Sequence, residues 1–164
     1  MSFQKVLIIR LSSIGDIILT SPIIRCVKQQ KNVEIHFLVK SEYSIIIRSN
    51  PYVDKVFCFR KKISNLLLEL KSENYDLIID LHNNLRSMWV KIYLSRPHYT
   101  ISKKTFHQYM LIYFNWNLLK NHVVDRYFEV IERIDVTNDK KGLDYFLNKK
   151  TTIKFNVNQV FIAW

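Results

Sequence analysis

Residues 5–30, KVLIIRLSSIGDIILTSPIIRCVKQQ, read as a buried strand, a polar turn, and a helix that starts on the turn. Residues 6–9 form a continuous apolar run, the pattern of a parallel strand covered on both faces. Ser12, Ser13, Gly15 and Asp16 follow directly, and apolar residues return at Ile17, Ile18, Ile24 and Val27 with broadly helical spacing. In open α/β sheets, ligands bind where the carboxyl end of a strand meets a helix N-terminus. A carboxylate at this turn is therefore a candidate for chemistry.

Working outward, residues 33–39 (VEIHFLV) predict a second strand, with Ser41 as N-cap of a short helix that Asn50-Pro51 ends. A third strand is expected over 55–59, a helix over 63–72, and a fourth strand over 76–81 (DLIIDL). The polar turn His82-Asn83-Asn84 then leads into a helix near 85–94, which Arg96-Pro97 stops before a fifth strand at 98–101. This βαβαβαβ order predicts an α/β fold: a Rossmann-like, mostly parallel sheet with helices on both faces. Residues 104–119 carry an aromatic stripe at helical spacing, more in keeping with core or a domain contact than with a ligand box. An amphipathic helix is expected over 122–134, burying Val123, Tyr127, Val130, Ile131 and Ile134. Beyond it lie a charged turn at 138–142, a strand at 143–147 and a lysine-rich connector. The closing VFIAW (160–164) is a strand signal with nothing after it to pair with. The expected organisation is one domain over 1–150, then a linker and the first strand of a further domain over 151–164.

The 164 residues suffice for one sizeable core, and 48% hydrophobic against 24% charged residues is a globular composition. The two glycines, Gly15 and Gly142, are too few for a Gly-rich dinucleotide fingerprint or a Walker loop. Gly15 stands in the turn where backbone is expected to approach a partner closely. A net charge of +11 favours an anionic partner, a solvated lysine-rich surface being the plain alternative. Cys26 and Cys58 lack CxxC spacing and read as buried free thiols in a reducing compartment. No signal segment opens the chain and no apolar run approaches the length of a membrane span. A cytoplasmic protein is expected, touching the inner face of the membrane at most peripherally. The aromatics follow burial spacing instead of forming a stacking platform, which argues against nucleic acid as partner.

Asp16 has two readings: an acidic residue favoured by the dipole in a helix's first turn, or a general base facing a ligand at the sheet edge. Ser12 and Ser13 suit helix capping and have no adjacent base to make either a nucleophile. Asn83 and Asn84 fit capping as well as ligand contact. Arg60, with Lys61 and Lys62, follows strand three on the same edge, as a solvated loop or an anion contact. His82 and His107 show no metal-ligand spacing.

Four segments carry a resemblance. Residues 5–30, SNPYVDKVFCF (49–59), YDLIIDLHNNLRS (75–87) and HVVDRYFEVIERIDV (122–136) resemble, in order, the ADP-heptose-dependent lipopolysaccharide heptosyltransferases of glycosyltransferase family nine. The resemblance implies the N-terminal half of a GT-B enzyme, whose two Rossmann-like domains face each other across a cleft. That half receives a lipid-linked anionic sugar acceptor, and the C-terminal half holds the nucleotide sugar. Transfer inverts the anomeric centre and needs no metal or other cofactor. Asp16 matches the family's base; Ser12, Ser13 and Gly15 become loop residues admitting the acceptor, and Arg60, Asn83, Asn84 and Arg86 become acceptor contacts. Without a donor half, the chain alone is expected not to turn over. The competing reading is a non-catalytic module of the same fold that binds an anionic glycan or lipid.

Overall fold

The structure is a computed structural model and describes residues 3–60, 64–102 and 123–146. Its centre is a five-stranded sheet of β1 (Lys5–Ile9), β2 (Glu34–Lys40), β3 (Lys55–Phe59), β4 (Leu77–Asp80) and β5 (His98–Thr100). The order is β3-β2-β1-β4-β5 and every pairing is parallel. Chain direction therefore reverses its spatial progress between β1 and β4, the topological switch point of a doubly wound sheet.

Alternation along β1 sends Val6 and Ile8 to one face and Leu7 and Ile9 to the other. The first face is covered by α1 (Ile14–Ile18), α2 (Ser21–Lys31), α3 (Ser44–Arg48) and α6 (Val123–Ile131), which contribute Ile17, Ile24, Val27, Ile47 and Ile131. The second is covered by α4 (Ser64–Ser72) and α5 (Leu85–Leu94), through Leu66, Leu70, Val90 and Leu94. The expected parallel α/β architecture is thus present, and Tyr127, Val130, Ile131 and Ile134 are buried as the amphipathic pattern requires.

Three local expectations are corrected. The helix expected to run on from the first turn breaks in two, because Thr20 folds back, its N–H and hydroxyl both bonding the Ile17 carbonyl (3.1 and 2.6 Å). Pro22, with no N–H to give, then starts α2 afresh. Ser41 is not an N-cap: its hydroxyl donates to the Phe59 carbonyl (3.2 Å), and a short 3-10 turn, Ser41–Tyr43, precedes α3. The strand expected at 143–147 is absent over 143–146, where Asp144 is committed through its N–H and side chain to a polar clamp on α2; residue 147 lies outside the described residues. The aromatic stretch at 104–119 and the closing strand at 160–164 also lie outside them.

That clamp centres on Arg25, only 3% exposed. Its Nε and Nη2 donate to both oxygens of Asp139 (2.7 and 2.8 Å), Nη2 also reaches the Gly142 carbonyl (3.0 Å), and Nη1 meets Asp144. Gly142 takes φ +75, the left-handed turn that lets the chain fold back over the guanidinium. The Asp144 N–H closes the loop on Ser21 Oγ (2.9 Å). Cys26 is buried beside it; Cys58 is only half-buried, and both are free thiols.

Bonding to Arg25 holds Asp139 well below the ordinary carboxylate range. A depressed folded-state pKa stabilises above the unfolded value and ceases to as acid protonates the folded carboxyl. Arg25→Met should therefore cost about 3 kcal/mol at neutral pH, the low end for a broken buried pair because both carboxylates keep some exposure. Urea midpoints should show that gap and show it narrowing below about pH 4.

Candidate functional site

The loops leaving β1 and β4 meet at the switch point. The Leu81 N–H bonds the Ile9 carbonyl (3.0 Å), which extends the sheet by one link, and Arg10 comes next. Its Nη1 donates to the Leu81 carbonyl, its Nη2 pairs with Asp16 Oδ2 at 2.5 Å, and the guanidinium carbon lies 5.8 Å from the Tyr127 ring centre. One side chain therefore ties the β1 turn, the β4 turn and α6 together.

Asp16 lies in the first turn of α1, and the Ser12–Ser13 peptide ahead of it is cis. Ser13 gives Asp16 Oδ2 two more bonds, from its N–H (3.2 Å) and its hydroxyl (2.9 Å). Among the described residues the bonds to this carboxyl fall on Oδ2, and the side chain is 32% exposed. Burial pushes the Asp16 carboxyl up, but Arg10 and the Ser13 bonds outweigh it, and the group sits below the ordinary carboxylate range. It is a carboxylate at neutral pH, and among the described residues only its Oδ2 is engaged.

Gly15 lies next to Asp16 in this turn. Its φ is not in the left-handed region, and a Cβ added there would meet nothing within 4 Å. The protein's own packing does not demand glycine; what the residue leaves is open surface beside Asp16. Ser12 is half-buried in the same turn.

The β4 turn rests on a residue that pattern reading passed over. Asp80 is fully buried; its Oδ1 accepts the N–H groups of His82 (3.0 Å) and Asn83 (2.8 Å), and its Oδ2 pairs with Lys91 Nζ at 2.8 Å. Lys91 in turn donates to Thr100 Oγ1 (2.8 Å). Asn83, at φ 49, donates through its amide to the Ile101 carbonyl (2.7 Å). Asn84 caps α5, its Oδ1 accepting the Ser87 N–H (2.9 Å). Both Asn side chains are thus engaged in shaping the turn, the capping alternative for Asn84 in full.

Arg60 and Arg86 are both exposed, and the Arg86 guanidinium lies 5.5 Å from the ring centre of Phe59, the residue before Arg60. They gather on the α4/α5 side of the same edge; Lys61 and Lys62 lie outside the described residues. Arg10 was also missed by pattern reading. The available signal was its position, the first polar residue after a strand buried on both faces. No cluster of three or more His, Cys, Asp or Glu among the described residues could hold a metal ion.

The comparisons with known proteins bear on this site. The family model described as Glycosyltransferase family 9 (heptosyltransferase) matches residues 63–159, more than half of the chain. The chain belongs to this family. A curated relative, lipopolysaccharide heptosyltransferase 1 of Campylobacter coli, is 27% identical over 97% of this chain and 54% of its own length. A family 9 glycosyl transferase of Veillonella parvula superposes with a TM-score of 0.72 at 20% identity, over 91% of this chain and 47% of that one. The E. coli heptosyltransferase WaaC, solved with ADP, gives 0.59 at 18% identity over 86% and 50%. The chain thus spans about half the length of the relatives it matches. Its fold, a five-stranded parallel sheet with helices on both faces, is shared with about half of each of these glycosyltransferase structures.

Replacing Arg10 with Gln removes the charge and bond that hold Asp16 low and leaves burial, which acts upward. The Asp16 titration point, followed by its carboxyl carbon resonance, should rise.

Proposed function

We propose that this chain is the acceptor-binding, base-bearing half of a cytoplasmic glycosyltransferase that moves a heptose from ADP-heptose onto a lipopolysaccharide-type acceptor with inversion. The observation that carries the proposal is the state of Asp16: ionised, anchored among the described residues through Oδ2, and partly exposed at the switch point beside an unobstructed Gly15. Membership of the heptosyltransferase family supports the reaction class, and the names of the relatives support donor and acceptor.

An acceptor hydroxyl is a poor nucleophile until its proton has somewhere to go. In the proposed step the hydroxyl oxygen bonds the anomeric carbon of the donor from the side opposite the diphosphate. The carbon–oxygen bond to the diphosphate breaks, its electron pair leaves with ADP, and the proton passes to Asp16 Oδ1. A single attack on that side inverts the anomeric centre. The lowered pKa makes Asp16 a weaker base but guarantees that it is ionised, and the transfer occurs late, when oxocarbenium character has acidified the hydroxyl.

Arg10 is a positioning residue in this scheme, since it fixes which oxygen faces the acceptor. Arg60 and Arg86 supply cations for the acceptor's phosphates and carboxylates, and the Asp80–Lys91 pair holds the second turn in place. The donor sugar is assigned to a second Rossmann-like half, and residues 151–164 to the start of it.

In a transferase carrying this chain with a donor half, Asp16→Asn should lower turnover by about 10²–10⁴-fold while acceptor affinity holds. Gly15→Ala should raise the acceptor KM and leave the fold slightly more stable, by about 0.5–1 kcal/mol, as alanine in a helix does. Unchanged turnover in Asp16→Asn would leave the edge a binding site only.

A further inference from the structure

The outer side of α5 is apolar. Leu85, Met88, Trp89 and Ile92 are 72, 42, 62 and 61% exposed, while Ser87, Val90, Lys91 and Leu94 face the sheet. Positions 85, 88, 89 and 92 follow the i, i+3, i+4, i+7 spacing and make one stripe along a helix about 15 Å long. A contiguous exposed stripe of this kind marks an interaction surface.

Its surroundings indicate what it meets. Residues 81–102 contain no Asp or Glu, and three basic residues: Arg86, Lys91 and Arg96. Lys91 is spent on Asp80. Arg86 and Arg96 are exposed and bracket the stripe, one in the first turn of α5 and the other just past its end; Arg96 also touches Asn74 (3.2 Å). A tryptophan within an apolar stripe with cations at its ends is the chemistry of a surface that lies in the headgroup layer of an anionic bilayer. No helix among the described residues is long and apolar enough to cross a membrane, so contact through α5 is by lying on the surface. The N-terminus of α5 is the Asn84 cap, which puts one end of the stripe at the edge that carries Arg86 and the β4 turn.

We infer that the exposed face of α5 docks this chain on an anionic membrane surface, with Leu85, Met88, Trp89 and Ile92 in the interface and Arg86 and Arg96 on lipid phosphates. The docking sets the carboxyl edge of the sheet close to the headgroups, where a lipid-linked acceptor presents its sugar.

The test uses the 164-residue chain with Trp116→Phe and Trp164→Phe, which leaves Trp89 as the only tryptophan. Mixed phosphatidylglycerol and phosphatidylcholine vesicles should shift Trp89 emission to the blue, with quenching by acyl-chain bromine, and phosphatidylcholine alone should not. Arg86→Gln with Arg96→Gln should weaken vesicle binding about tenfold or more. Leu85→Ser with Ile92→Ser should weaken it likewise with circular dichroism unchanged, because both side chains are exposed. Trp89 emission that is blue before vesicles are added and does not move with them would overturn the proposal, assigning the face to the rest of the chain or, if sedimentation shows association, to a second copy. Equal binding to both vesicle types, or undiminished binding by the variants, would overturn it too. Sugar transfer is not needed for the measurement, so its failure leaves the acceptor-half reading untouched.

Discussion

The burial of β1 is the constraint on which the rest of the molecule depends. Val6 through Ile9 are at most 1% exposed, hydrogen-bonded to β2 on one side and β4 on the other, and packed under helices on both faces. A polar side chain inside that segment would lose its water with nothing to replace it, a cost of several kcal/mol. Polarity can first return at the strand's end, and there Arg10 reaches both the neighbouring turn and Asp16. The location of the site follows from how long the core requires the strand to be.

The two ends of the sheet treat charge differently. At the amino end the carboxylates are occupied by structure. Asp76 accepts the N–H groups of Gln4 and Lys5, Asp54 accepts those of Ile35 and the Lys28 ammonium, and Glu73 bonds Lys5 and Lys55, which pull it down to about 2. Buried His36 is held there by Tyr75 and Glu34. At the carboxyl end Arg60 and Arg86 stay exposed, and among the described residues Asp16 is engaged through one oxygen. An end whose charges satisfy each other builds a scaffold; an end with cations and a half-engaged carboxylate is suited to an anionic ligand.

The parallel sheet was legible because buried segments such as 6–9 and 77–79 are apolar runs too short for helices, separated by helical periodicity. The break at Thr20 was not, since it arises from a hydroxyl competing for a backbone carbonyl inside an otherwise continuous helical pattern. The strand expected at 143–147 failed for a long-range reason: Arg25, more than a hundred residues earlier, recruits Asp139, Gly142 and Asp144 into a loop. Asp16 was singled out from its position after β1. Arg10 and Asp80 were not, because their partners at Leu81, Lys91 and the β4 turn are brought near only by the β1–β4 pairing. Periodicity reports burial well; it is silent on which polar groups meet.

The central claim is that an anionic sugar acceptor binds at the carboxyl edge of this sheet, against the turns after β1 and β4. Backbone amide resonances of the chain, followed while a soluble acceptor fragment carrying the anionic inner-core sugars is added, test it most directly. The account predicts shifts concentrated at Ser13–Asp16 and at Asn83–Arg86, with Glu34, Asp54 and Glu73 at the opposite end unmoved. Shifts confined to that opposite end, or none at saturating acceptor, would contradict it.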